Sequence, residues 1–385
     1  MAVSYNNLGT IYRGLGNHGK ALEFCKKALE IERNCLGRNN PGVAMSYNNV
    51  SVIYLEIGEY QKALSCSEEA LSIRQSLFGV NHPDVAQSYN NVGAIYGELG
   101  DYQKSLEYGK DALAIYLRIF GGNHIAVATS FSNISMTFYK LGDNIKALEY
   151  EEKALAIYWC ILGNNHIDVA KSYSILSIIY RSLGDYRKVL ECIKKGLDIR
   201  LGIYGENHLE IAKSYNDVGV TYEELGDHIK ALEYGKKALG LFRSLLGENN
   251  ASVAQSYDNI SVAYESLEKH QDAISYSQQA ISVYKAIMGD NNSYVARLYN
   301  NIGAIYGKMG NKKKDLEYRF KALEIARSIN HHIYTAAILN RVAEAYKADN
   351  QPGKAKDYYR QAAEKYRELG NEKQAQANLK EYDNC

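Results

Sequence analysis

His82, His124, His166 and His208 each follow an asparagine, and successive members stand 42 residues apart. Four imidazoles in register raise the question of a metal. Zinc needs its ligands within ~2.0–2.1 Å of one ion, whereas equivalent positions on packed helices lie ~8–10 Å apart. These histidines cannot converge, and no second set of ligands accompanies them. A structural role at helix N-termini suits them better. The cysteines, Cys25, Cys35, Cys66, Cys160, Cys192 and Cys385, form no Cys-x-x-Cys pair. They read as buried, reduced thiols, with Cys66 and Cys192 replacing the Phe24 or tyrosine of their column. No glycine-rich phosphate loop and no Ser/His/Asp frame occurs. The reading is a non-enzyme with no metal and no cofactor.

Asparagines form the second recurrent set. Asn-Asn follows a tyrosine at 6–7, 48–49, 90–91 and 300–301. Asparagine is a poor helix former, because its amide competes for backbone hydrogen bonds. Yet each carboxamide offers two donors and an acceptor, and an extended peptide backbone needs both kinds of group.

The elements that carry these residues follow from the period. Tyr5, Tyr47, Tyr89, Phe131, Tyr173, Tyr215, Tyr257 and Tyr299 keep the 42-residue step. The columns running Gly37 to Gly289 and Ala44 to Ala296 have no exception. A fixed period of this size indicates stacked units, each burying its apolar face on the next. Every unit holds two amphipathic helical segments, ending in glycines such as Gly58 and Gly79 that suit a left-handed cap. Pro41 and Pro83 fall in first turns, and no alternating β pattern appears. The chain is therefore all-α, a solenoid of antiparallel helical hairpins. Residues 1–330 make eight regular hairpins, 331–369 a degenerate ninth and 370–385 a C-terminal capping helix. Glu268 interrupts a glycine column, which predicts a flexible joint there. Asp315 replaces a small residue such as Ala21 or Ala273. Ala2 already fills the repeat's alanine column, so the chain reads as a piece of a longer protein, and an incomplete N-terminal cap would allow end-to-end self-association.

The pattern Tyr89-x-x-Val92-Gly93-x-x-Tyr96, then Leu99-Gly100-Asp101-Tyr102, then Ala112-Leu113, resembles the tetratricopeptide repeat. With "LFGVNHPDVAQSYNN" joining units, it is similar to the 42-residue form found in kinesin light chains. The resemblance covers nearly the whole chain. It implies a right-handed superhelix whose first helices line a concave groove, and it leaves the partner open, since such arrays serve many.

On a helical wheel at about 100° per residue, Tyr89, Val92, Gly93 and Tyr96 share the packing arc. Gln87, Asn90, Asn91, Ala94, Gly97 and Glu98 lie opposite, on the groove arc by resemblance, which places the asparagines outside the core. Stacking turns each groove position into a row. Asn6, Asn48, Asn90, Asn216 and Asn300 stand in one row, and Asn7, Asn49, Asn91, Asn133, Asn259 and Asn301 in the next. The ladder breaks at Ser174 and Ile175. There Met136, Tyr139, Ile175 and Ile178 gather as an apolar pocket, with Lys171, Arg181 and Lys213 around it and Arg297 further along. Such a groove suits a protein or peptide partner, acidic and with an aromatic or apolar anchor. Glu223, Glu224 and Glu265 on the same arc could instead neutralise the bases. The alternative role for the asparagines is to fix repeat geometry. Formal net charge is +1, which gives no drive toward nucleic acid, and no membrane span or targeting signal appears. The sequence reading is a cytoplasmic, non-catalytic scaffold or adaptor. The alternative is a ligand-sensing regulatory array attached to a signalling or motor domain.

Overall fold

The computed structural model describes residues 1–385, with 19 α-helices and no strand. It divides into two units, 1–199 and 200–385. The first holds α1 (Ala2–Gly14), α2 (His18–Leu36), α3 (Pro41–Ile57), α4 (Tyr60–Phe78), α5 (Pro83–Glu98), α6 (Tyr102–Phe120), α7 (Ile125–Lys140), α8 (Asn144–Leu162) and α9 (Ile167–Ser182). The division falls within α10 (Tyr186–Tyr204). The second unit continues with α11 (Leu209–Glu224), α12 (His228–Leu246), α13 (Ala251–Ser266), α14 (His270–Met288), α15 (Ser293–Lys308), α16 (Lys312–Ser328), α17 (His332–Ala348), α18 (Pro352–Glu368) and α19 (Glu372–Asp383). Within each unit, consecutive helices pair as hairpins, each hairpin packs on the next, and α19 closes on α18. The fold is an α-solenoid.

Local sequence sets the helix ends. The histidines of the Asn-His pairs are N-caps: His82 Nδ1 accepts from the Asp84 N–H at 3.1 Å, and His124, His166 and His208 do the same. Asp101, Asp143 and Asp227 cap second helices likewise. Such caps satisfy helix N–H groups that have no partner within the helix. Glu268 adopts φ 59°, the left-handed region. Its N–H bonds to Glu265 O, and the Lys269 N–H to Tyr264 O, each at 2.9 Å. Gly100 and Asp101 close the equivalent joint with the same two bonds. The loosening expected at Glu268 therefore has no counterpart in the backbone geometry.

Alanines clamp the hairpins together, Ala44, Ala86, Ala128, Ala212, Ala254 and Ala296 among them, all fully buried. Within a hairpin, two rings of the first helix sandwich one of the second. Tyr89 and Tyr96 lie 5.7 and 5.6 Å from Tyr108, and Tyr215 and Tyr222 flank Tyr234. Cys66 and Cys192 stand in that ring column; Cys192 is buried and Cys66 half-buried. Cys35 and Cys160 are exposed, contrary to the expectation of uniformly buried thiols, because both lie near the ends of second helices where no neighbour covers them.

Candidate functional site

The asparagine rows do not form a free ladder. Asn6 and Asn90 are buried, not outside the core as the wheel places them. The first helix of the next hairpin covers them: Asn6 Nδ2 donates to Ser46 Oγ at 2.8 Å and Asn90 Nδ2 to Ser130 Oγ at 2.9 Å. The second row then donates back to the first. Asn49 bonds Asn6 Oδ1 at 3.3 Å, Asn91 bonds Asn48 Oδ1, and Asn259 bonds Asn216 Oδ1 at 2.9 Å. In the second unit Asn300 Oδ1 accepts from Arg319, and Asn301 is half-buried beside it in sequence. The bonds of Asn6, Asn49, Asn90, Asn91 and Asn259 tie neighbouring hairpins, the structural role that is the alternative for them, whereas Asn300 bonds within its own hairpin. Asn7 and Asn133 are exposed.

One rung is missing. Asn133 is the residue whose amide should reach Asn90 Oδ1, and no such bond forms; Asn90 Oδ1 has no hydrogen-bond partner although its side chain is buried. Both residues line a pocket of about 220 Å³ between α5, α6 and α7. Its walls are Gly93, Ala94, Gly97, Gly109, Met136 and Thr137, and Glu98 and Lys140 also line it. Small residues make this space. A Cβ on Gly93 would lie 3.2 Å from Ser105 O, and one on Gly97 3.4 Å from Ser105 Oγ. A second pocket, of about 140 Å³, lies at the same repeat position in the second unit, with Gly219, Val220, Gly235 and Val262 in its lining. Its rung, Asn216 to Asn259, is closed.

The apolar pocket expected at Met136, Tyr139, Ile175 and Ile178 is instead filled. Glu151 occupies the column of Gly109 and is fully buried there, with Ser132 donating to its Oε2 at 2.9 Å. Burial pushes the Glu151 carboxyl up to about 7, against the opposing pull of the Ser172, Ser132 and Ser135 hydroxyls. Tyr139 and Ile175 pack against the core around Ile134 and Phe138, while Ile178 stays exposed. Met136 alone of the four lines the open pocket, one repeat earlier. The expected bases are compensated in place. Lys171 pairs with Asp168 at 2.9 Å, Lys213, in the second unit, with Glu210 at 2.8 Å, and Arg297 with the buried Asp258 at 2.7 Å. Arg181 is half-buried and also engaged.

Gly97 lies on the groove arc of the helical wheel, but Gly109 and Thr137 have no place among the expected site residues. The signal was available: the column Cys25, Ser67, Gly109, Glu151, Ile193, Gly235, Ser277, Arg319 holds glycine twice, once under each pocket.

A family model described as tetratricopeptide repeat matches residues 1–76, 52–118, 84–158, 168–244, 210–286, 252–314 and 294–368. Among solved structures, the apo form of RapI is similar with a TM-score of 0.68 at 14% identity, covering 96% of this chain and 98% of that one. A signal transduction ATPase with a tetratricopeptide repeat sensor, from Pyrococcus horikoshii, gives 0.64 at 17% identity over 94% of this chain and 52% of that chain. BtubC (BKLC) from P. vanneervenii gives 0.50 at 21% identity, covering 61% and 92%. At these identities the likeness is one of fold. No curated protein matches the chain significantly in sequence.

Proposed function

The chain belongs to the tetratricopeptide repeat family, and on that premise we propose that it is a non-catalytic scaffold that binds a peptide or partner helix along the face of its first helices. The observation that carries this reading is the pocket floored by Gly93, Gly97 and Gly109, in which the buried Asn90 Oδ1 is left without a donor. A buried acceptor without a partner costs about 1–3 kcal/mol, so a site that keeps one open gains when a ligand donor arrives. At about 220 Å³ the pocket is small for a drug-sized ligand and suits a single side chain. The exposed amide of Asn133 lies at its edge, where it is open to a bound peptide.

A Rap protein complexed with Competence and Sporulation Factor has the same fold, with a TM-score of 0.51, which supports a binding role by analogy of fold alone. Glu98 and Lys140 give the pocket one charge of each sign. With Lys171, Lys213 and Arg297 already paired, nothing favours an acidic partner over a neutral one. The working environment is read as cytoplasmic: the cysteines are all free, and no helix is long and apolar enough to cross a membrane.

Selection of peptides from a random phage library tests the reading, using the full chain and an Ala94→Trp variant. Ala94 is exposed at the pocket, so the indole fills the opening without touching the core. Peptides that bind the native chain and are lost on Ala94→Trp are the expected result. Equal recovery by both proteins sinks it.

A further inference from the structure

The missing rung also specifies its ligand, if the groove reading above holds. Three amide pairs show what the rung looks like when complete: Asn49 to Asn6, Asn91 to Asn48 and Asn259 to Asn216. In each, one carboxamide donates to the oxygen of another. Asn90 is oriented for the same bond, because its Nδ2 is fixed on Ser130 Oγ at 2.9 Å and its Oδ1 must therefore be the acceptor. The Asn133 carboxamide, exposed at the other side of the pocket, makes no side-chain bond to Asn90.

We propose that this pocket takes a primary carboxamide side chain of the bound peptide, glutamine before asparagine, as the rung missing between Asn90 and Asn133. Its NH₂ would donate to Asn90 Oδ1, and its oxygen would accept from Asn133 Nδ2. A carboxamide carries both kinds of group. The two methylenes of glutamine would lie on the apolar lining of Ala94, Gly97 and Met136. A glutamate of the same shape is rejected, since its oxygens are acceptors only and would face the Asn90 oxygen. The second pocket makes no such demand, because its rung is closed by the Asn259 to Asn216 bond.

The test uses synthetic peptides from the selection above, taken from those lost on Ala94→Trp. The expected result is a fixed Gln or Asn at one position. Changing that residue to Glu or Leu should weaken binding at least tenfold, measured by fluorescence anisotropy. Asn133→Ala, at an exposed site, should shrink the Gln-over-Leu preference at least threefold while the melting temperature stays put. Pocket-dependent peptides that carry an aromatic, acidic or basic residue at the fixed position overturn the carboxamide assignment and leave the groove standing. So does an unchanged preference in Asn133→Ala. Peptides indifferent to Ala94→Trp overturn the groove reading, and the assignment falls with it.

Discussion

Ser132 Oγ donates to Glu151 Oε2 at 2.9 Å, in the slot that Gly109 leaves open one repeat earlier. A single column position thus decides whether the joint between hairpins holds a pocket or a buried carboxyl. The folded state holds the Glu151 proton up to about pH 7, against an ordinary value of 4.5. The unfolded chain releases it first, so folding loses ground as pH rises between those values and does not regain it above. The slope is roughly 1.4 kcal/mol per pH unit, about 3 kcal/mol in all. Glu151→Gln cannot ionise and keeps the acceptor for Ser132. Urea denaturation at pH 5 and pH 8 should show the variant gaining up to about 3 kcal/mol at the higher pH and little at the lower. Parallel curves for the two proteins would refute the assignment.

Asp315 and Arg319 pair inside α16, both nearly buried, where other repeats carry Ala273 and Ser277. Gly303 and Gly307 make room: a Cβ on Gly307 would lie 2.8 Å from Asp315 Oδ2. Asp315→Ala strands a buried guanidinium, a loss of about 3–5 kcal/mol. The double variant Asp315→Ala with Arg319→Ser restores the composition of the α14 repeat and should recover most of that loss in thermal melts. If the double variant is no more stable than the single one, the stranded charge is not the cause.

Glu268 sits at φ 59° where its column otherwise has glycine, as at Gly100 and Gly226. A side chain in the left-handed region costs about 1–2 kcal/mol per residue. Glu268→Gly should therefore raise stability by about 1 kcal/mol, less the added freedom of the unfolded glycine. A destabilised variant would mean that the Glu268 side chain contributes more than its backbone strain removes.

The rungs separate amides that bond across hairpins from one that does not. Asn91→Ala removes the donor to Asn48 Oδ1 and should lower stability by about 1 kcal/mol. Asn133→Ala removes no such bond and should stay within about 0.5 kcal/mol of the native chain. Equal losses for the two would show that Asn133 is also a structural rung.

The period of 42 residues, the helical spacing and the capping glycines determined the hairpin array from sequence alone, because nearest-neighbour packing forces each repeat to answer locally to the same demands. His82 and its counterparts were also legible, since four imidazoles on successive repeats cannot meet at one ion. The groove was not legible in the same way. A helical wheel knows one helix, and it put Asn6 and Asn90 in the open because it cannot see the next hairpin closing over them. The pocket depends on what faces the wheel from a different helix: Gly109 leaves a space, Glu151 fills the same space, and Asn133 stops short of Asn90. The linear reading offered Glu223, Glu224 and Glu265 as the carboxylates that could neutralise Lys171, Lys213 and Arg297, yet the partner within 3 Å of each is another one, Asp168, Glu210 and Asp258. Volume, hydrogen-bond pairing and charge compensation are properties of surfaces brought together across repeats, and only the tertiary structure sets which residues meet.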